Sequence, residues 1–381
     1  MNAKERALAA IKLKDVDKIP SSYRGLDNLS IRLNKYFGFD EPENIVKNYK
    51  NLINALGADF YSSGVKISKF TTYVASYNGP LPQKPYIEDH VYYYQLGANS
   101  KLAIGGKGEY QFEYEVWVDP PLAKINDASE IRKGFLTEKL PYFDFGNFQV
   151  EYGNPDLNYQ NVKNSSQDFV GIGNFSHVFM NCLALRGYEQ FLTDLAFNKK
   201  LAEKIINEVC EFGLEYVRRE LESFGSIAEY YGMGDDLAAQ NGMIISPEDF
   251  KKYFLSYYEK LIPMVKSHDI IFSFHCCGSV HKILPMMIDA GIDVFDVVQT
   301  SAKDMSLDNI YKLYGSSICM HGGIDVQNLL VFKTPKDIKE EVKKIKHLWG
   351  NRGGIIVAPC HEALPETPIE NIIALYEELN K

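Results

Sequence analysis

Cysteine is scarce in this chain: six residues among 381, unevenly spaced. That is too few for a disulfide scaffold, and a core of this size folds without such staples. Basic charge is short as well, with 41 Lys and Arg against 50 Asp and Glu and a formal charge of −9. The balance argues against nucleic acid as the main partner, because phosphate binding needs Lys and Arg gathered on one face. No run of about 18 apolar residues occurs, so no membrane span is expected. Met1–Pro20 is charged and lacks the apolar stretch of a secretory signal. The expectation is a cytoplasmic protein whose reduced thiols are free to bind metal. Neither a G-x-G-x-x-G after a first strand nor a Walker motif is found. Hydrophobic residues at 45%, with 28 Gly and 16 Pro, set disorder and fibrous architectures aside.

What is present is a rhythm, clearest in the C-terminal half. Ser226–Met233, Ile270–Phe274, Val294–Val298, Ser316–Met320 and Gly354–Ala358 read as short strands. Between them lie a helix opened by Ser246-Pro247-Glu248, one near Val280–Ala290, one at Leu307–Tyr314, and amphipathic helices at Pro335–Leu348 and Pro368–Leu379. Strands alternating with helices predict a parallel sheet covered on both faces. With no dinucleotide fingerprint, a single (β/α)₈ barrel spanning residues 1–381 is preferred to a doubly wound sheet. Helical patterns at Arg6–Lys14 and Ile45–Leu56 predict an N-terminal helical extension, and Leu192–Arg219 predicts a long helix. The Tyr-, Gly- and Asn-rich stretch from about 73 to 170 predicts an insertion or lid.

Two tripeptides carry chemistry. His275-Cys276-Cys277 follows one predicted strand and Cys360-His361-Glu362 follows another, so both emerge at the C-terminal rim where barrels of this kind keep their active sites. His275 and Cys277 are two apart and face the same side, and alternation turns Cys276 toward packing. One imidazole with two thiolates, from His275, Cys277 and Cys360, suits Zn²⁺ and leaves a fourth position open, the catalytic rather than the structural pattern. Cys182, Cys210 and Cys319 read as small core hydrophobes. Asp235 and Asp236, also at a predicted rim, are candidates to orient substrate, donate a proton or ligate zinc. Glu229 is a candidate fourth ligand, and His361 and Glu362 are candidates to support the ligands from behind. His321 and Asp325 are candidates to line the pocket.

These segments resemble the uroporphyrinogen decarboxylase superfamily: HCCGSVHKILPMMIDAGIDVFDVVQ (His275–Gln299), GGID (Gly322–Asp325) and APCHEALPETPIENIIALYEEL (Ala358–Leu379). So do Glu5–Pro20, Leu185–Asn198 and Gly234–Phe250. The resemblance covers most of the chain and implies a (β/α)₈ barrel. Two departures set the branch. The decarboxylases carry Arg-Gln-Ala-Gly-Arg-Tyr near the N-terminus, where this chain reads Pro20-Ser21-Ser22-Tyr23-Arg24-Gly25-Leu26-Asp27. Their closing Gly-His-Gly is replaced by Cys360-His361-Glu362. A Cys there is similar to the corrinoid-linked methyltransferases of the superfamily, which implies zinc on His275, Cys277 and Cys360. Tyr23 and Arg24 fall where the family holds substrate.

The resemblance thus implies a zinc-dependent methyltransferase that moves a methyl group between a small molecule and a corrinoid (cobalamin) protein. This chain has no Asp-x-His-x-x-Gly signature, so the corrinoid is expected on a separate partner. The aromatic-rich stretch slightly favours a methoxylated aromatic donor over transfer from methylcobalamin to a thiol. Two rivals are a metal-free lyase of the same fold and a zinc or corrinoid-docking module without catalysis. The first needs a basic pocket whose arginines are not found, and the second does not need an open metal position.

Overall fold

Short apolar runs separated by amphipathic stretches become parallel strands joined by crossover helices. The computed structural model describes residues 1–39, 45–61, 70–79, 91–93, 96–152, 169–173 and 176–381. Helix α1 (Ala3–Ile11) precedes β1 (Ser22–Tyr23), and β2 (Phe60–Tyr61), β3 (Phe70–Tyr77), β4 (Phe143–Tyr152) and β5 (Phe169–Ile172) follow. Then come α2 (Phe179–Arg186), α3 (Lys199–Phe224), β6 (Tyr230–Gly234), α4 (Leu255–Lys266), β7 (Ile271–His275), α5 (Leu284–Ala290) and β8 (Val294–Val298). The chain closes with α6 (Leu307–Tyr314), β9 (Cys319–Ile324), α7 (Pro335–Trp349), β10 (Ile355–Pro359) and α8 (Ile369–Leu379).

Strands β5 to β10 pair in parallel, each with the next. A parallel bridge from Ser21 to Val357 sets the first strand against the last, and β1 pairs in parallel with β2. On the far side, β3 lies parallel to β5 and antiparallel to β4. This is an α/β architecture of the TIM-barrel type. Every residue of β8, β9 and β10 is buried, as strands covered on both faces require. Local signals agree with the elements they start. Thr334 and Asp337 form a capping box with Pro335 in the first turn of α7, and Asn2 and Glu5 do the same for α1. Among the described residues, no helix is long and apolar enough to cross a membrane.

Several boundaries differ from the sequence reading. The expected strand at Ser226–Met233 begins only at Tyr230, because the amides of Ile227 and Ala228 bond back to Phe224 and extend the end of α3. The strand expected at Ser316–Met320 runs instead from Cys319 to Ile324, since Ser317 and Ile318 bond back to Tyr314 at the end of α6. The long helix expected at Leu192–Arg219 is two helices, Tyr188–Phe197 and α3, parted at Asn198. Within 73–170, an antiparallel meander of Val91–Tyr93, Asn99–Gly105 and Phe112–Val118 accompanies the β3–β4 pair. Phe143 and Phe145 of this stretch each lie 5.1 Å from the Tyr216 ring on α3, so these aromatics are core. Residues 80–90, 94–95 and 153–168 of this stretch lie outside the described residues, and the insertion or lid reading falls partly on them.

Helix α1 is fastened to the N-terminal end of the barrel by one guanidinium. Arg6 donates to both oxygens of Asp17 at 2.6 and 2.8 Å and to Asp59, whose second oxygen takes the Ser21 amide at 3.0 Å. Arg6 and Asp59 are both buried. Removing one partner of a buried pair strands the other charge. Arg6→Ala should therefore lower stability by about 3 kcal/mol, read as an earlier urea midpoint at unchanged slope.

Candidate metal centre

The parallel register aligns one lateral row of residues across four strands. Gly234 of β6 pairs with His275 of β7, His275 with Asp296 of β8, and Asp296 with His321 of β9. Paired residues of a parallel sheet face the same side, so this row brings two imidazoles to either side of one carboxylate. His275 Nδ1 lies 2.6 Å from Asp296 Oδ2, and His321 Nδ1 lies 3.0 Å from Oδ1. Arg24 donates from Nη2 to both oxygens, at 3.2 and 3.1 Å. The other His321 nitrogen meets the Ser22 hydroxyl at 2.8 Å. Gly234 leaves room for the arrangement, because a Cβ there would stand 3.2 Å from Cβ and Cδ2 of His275.

An ionised carboxylate only accepts, so it fixes the tautomer of each ring. Nδ1 of His275 carries the proton, and Nε2 points outward to Cys277 Sγ, 3.3 Å away. Burial works against charge at His275, but Asp296 and Cys277 outweigh it and raise the imidazole well above its usual 6.5. Burial likewise opposes ionisation of Asp296, yet Arg24, His275 and His321 hold it well below 3.8.

The loop after β7 is held through its backbone amides. Asp236 accepts from the Cys277 amide at 3.2 Å, and Gln299 accepts from the Gly278 amide at 2.7 Å. Gln299 in turn donates to Gln240 at 2.7 Å. Gly278, at φ +87°, would set a Cβ 2.7 Å from the Ala239 carbonyl, so only glycine fits the turn. Cys276 is buried, its sulfur facing the Leu237 amide, away from this cluster.

Beyond Pro359 the chain offers two donors in succession. His275, Cys277 and His361 each present a ligand atom, and all three lie within 4.8 Å of one another. Cys360 is buried, with its thiol donating to the Ile324 carbonyl at 2.8 Å. Burial pushes that thiol up to about 12. The third donor beside His275 and Cys277 is thus His361, with Cys360 one residue before it and turned to the wall.

The remaining candidates fall at different depths. Asp235 is fully buried and accepts from the amides of Val178, Phe179 and Met180, at 2.8 to 3.0 Å, and from the Tyr258 hydroxyl at 2.6 Å. It caps α2 and faces away from the site, and burial pushes it above the usual carboxylate range against His177 and these donors. Glu229 requires correction as a ligand candidate. It precedes β6, at the end of that strand opposite to Gly234, the residue paired with His275, and binds Lys4 of α1 at 2.7 Å. Tyr23 turns into the core, its hydroxyl 2.9 Å from Ser30, whereas Ser22 and Arg24 on either side point to the His321–Asp296 group. Asp325 accepts the amides of Gln327, Asn328 and Leu329 at the start of the short helix Leu329–Phe332. Sequence reasoning missed Asp296. Its signal was a lone acid inside the apolar strand Val294–Val298, since a buried charge is informative where a buried Val is not.

Comparison with known proteins bears on this geometry. A family model described as uroporphyrinogen decarboxylase (URO-D) matches residues 172–381. A curated protein from Methanosarcina acetivorans, the methylcobamide:CoM methyltransferase MtbA, is 22% identical over 184 residues, 48% of this chain and 50% of that protein. The chain thus spans about half the length of the curated relative it matches. A solved methyltransferase from Methanosarcina mazei aligns over 100% of this chain and 98% of its own, with a TM-score of 0.61 and 18% identity. It has the same fold.

Two measurements follow. Asp235→Ala should cost about 2 to 4 kcal/mol, because three helix amides and a buried hydroxyl lose their acceptor; a urea midpoint within error of the parent would refute the capping role. The second concerns pH in chelator-treated protein. His275, raised above 6.5, contributes stability that is complete below 6.5 and is lost as pH rises through its folded value. Asp296, held below 3.8, contributes above 3.8 and loses that as pH falls through its folded value. The stability gap between parent and His275→Gln should therefore be full between pH 3.8 and 6.5 and narrow at higher pH.

Proposed function

The chain belongs to the uroporphyrinogen decarboxylase family, and on that premise we propose that it is a zinc-dependent methyltransferase. It moves a methyl group between a small molecule and the corrinoid of a separate partner protein. The observation that carries this reading is the facing of His275 Nε2 and Cys277 Sγ at 3.3 Å, with Asp296 fixing the imidazole from behind.

The donor set fits zinc. In a tetrahedral site with usual Zn–N and Zn–S lengths, neighbouring nitrogen and sulfur ligands stand about 3.5 Å apart, close to the 3.3 Å found here. A carboxylate on the far nitrogen of a ligating histidine is the common support of such sites. His275, Cys277 and Cys360 would hold the metal, Cys360 turning from the Ile324 carbonyl and giving up its proton. Zinc there would supply Lewis acidity, keeping a substrate thiol ionised or drawing charge from a methoxy oxygen.

The residues of the chain have separable tasks. Asp296 holds a proton on Nδ1 of His275 so that Nε2 stays free to ligate. Asp236 and Gln299 fix the Cys277–Gly278 backbone through its amides. Arg24, positioned where the family resemblance puts substrate, turns Nη2 to both oxygens of Asp296, which weakens the rival reading of a lyase that grips several carboxylates. The M. acetivorans relative is named for methylcobamide and CoM, and this favours a cobalt-bound methyl group on one side of the reaction. For the other side, Phe143 and Phe145 face Tyr216 rather than the site. These two rings do not speak for a methoxylated aromatic donor, and the small molecule is defined as one whose heteroatom meets the metal.

The purified protein should hold about one zinc per chain, lost in His275→Ala and Cys277→Ala. Methyl transfer to or from a corrinoid protein, followed by the corrinoid absorption, should fall more than about a hundredfold in Cys360→Ala. A folded, metal-free Cys360→Ala protein with full activity would sink the proposal.

A further inference from the structure

We propose that His361 is itself a ligand of this metal site, seated in the position that a substrate heteroatom takes over. The inference rests on the zinc reading above and adds the fourth, exchangeable ligand to it.

Three observations carry it. The ligand atoms of His361, His275 and Cys277 lie within 4.8 Å of one another, close enough to converge on one ion. The rings of His361 and His275 are tilted by 66° with centroids 6.3 Å apart, so they meet at an edge and do not stack face to face. Adjacent residues after β10 also aim differently: the Cys360 sulfur goes to the Ile324 carbonyl, while the His361 ring comes toward His275. Three ligands from His275, Cys277 and Cys360 leave one tetrahedral position, and His361 is the donor already beside it.

The exchange follows from unequal restraint. His275 is tied to Asp296 at 2.6 Å, and the Cys277 segment is tied through its own amide and that of Gly278. His361 is exposed, and among the described residues its ring has no hydrogen bond. Outer partners hold metal ligands in place, so the ligand lacking them yields first when a substrate sulfur or oxygen arrives. The ring then swings toward solvent without breaking a bond to the protein. In this way the resting metal is closed against stray ligands, and the site opens only in exchange for a donor that binds better than one imidazole.

Cobalt(II) in place of zinc makes the idea visible, with 2-mercaptoethanol as the probe. His361→Ala and His361→Gln, both at an exposed position, should bind zinc and cobalt about tenfold more weakly than the parent, at least the loss usual for an outer partner. The same variants should bind 2-mercaptoethanol about tenfold more tightly when cobalt-loaded, read from the sulfur-to-cobalt charge-transfer band, because no ring competes. A residue that merely shaped the loop would not move the two affinities in opposite directions. Equal metal and thiol affinities in parent and variants, with metal still lost in His275→Ala, would remove His361 from the site and leave the zinc reading intact. A parent that binds no metal, or a His275→Ala variant that binds as the parent does, would remove both.

Discussion

Asp296 is a carboxylate placed where a carboxylate is expensive, and the geometry of the site depends on how that cost is met. Burying an isolated charge is prohibitive, and even a paired one stabilises only when its lone pairs are filled. Here the two oxygens receive one imidazole each and share a guanidinium. The pairing is therefore weak ground for overall stability and strong ground for position. Each donor is held where the carboxylate needs it, and the carboxylate leaves His275 one orientation. Take away the acid and the same three groups become buried or half-buried donors competing for water, with two rings free to flip.

The barrel makes this possible through register. Parallel pairing puts residues of neighbouring strands side by side without further specification, so a glycine, a histidine, an acid and a histidine on β6 to β9 become one row. The glycine matters as much as the charged members, because its missing side chain is the space that the His275 ring uses. Asp235 shows the contrast. It is the residue after Gly234 and a buried aspartate like Asp296, yet its side chain points to the other face and is spent on the amides of α2. One step along a strand divides chemistry from architecture.

That one-step rule also marks what could be read from the sequence. The strands Val294–Val298 and Ile355–Pro359 and the helix Leu307–Tyr314 were legible because apolar run length, capping residues and glycine turns are local properties. So was the meeting of His275 and Cys277, two apart at a strand end. Boundaries at Tyr230 and Cys319 were not legible, since the preceding helices run on by a few backbone bonds that no composition signals. Glu229, a candidate ligand while it counted as part of the expected strand Ser226–Met233, stands one residue before the observed one, where it meets Lys4. Asp296 and the choice between Cys360 and His361 as the nearer donor depend on which residues stand side by side, a long-range property that a single sequence does not print.

The same network says where the functional unit ends. The family match runs over residues 172–381, which include both candidate ligand tripeptides and Asp296. Yet two of the groups that surround this charge come from elsewhere: Arg24 supplies the guanidinium, and Ser22 fixes His321. They reach the site because Ser21 bridges to Val357 on the last strand and Asp59 ties the same segment to α1 through Arg6. A piece holding only the matched region would keep every proposed ligand and both imidazoles on Asp296, and would lose the guanidinium they share it with. Asp296 orients His275, and Arg24 brings the joined ends of the barrel to that same acid. Three contacts link α1 to the candidate site: Arg6 to Asp59, Asp59 to the Ser21 backbone, and Arg24 to Asp296.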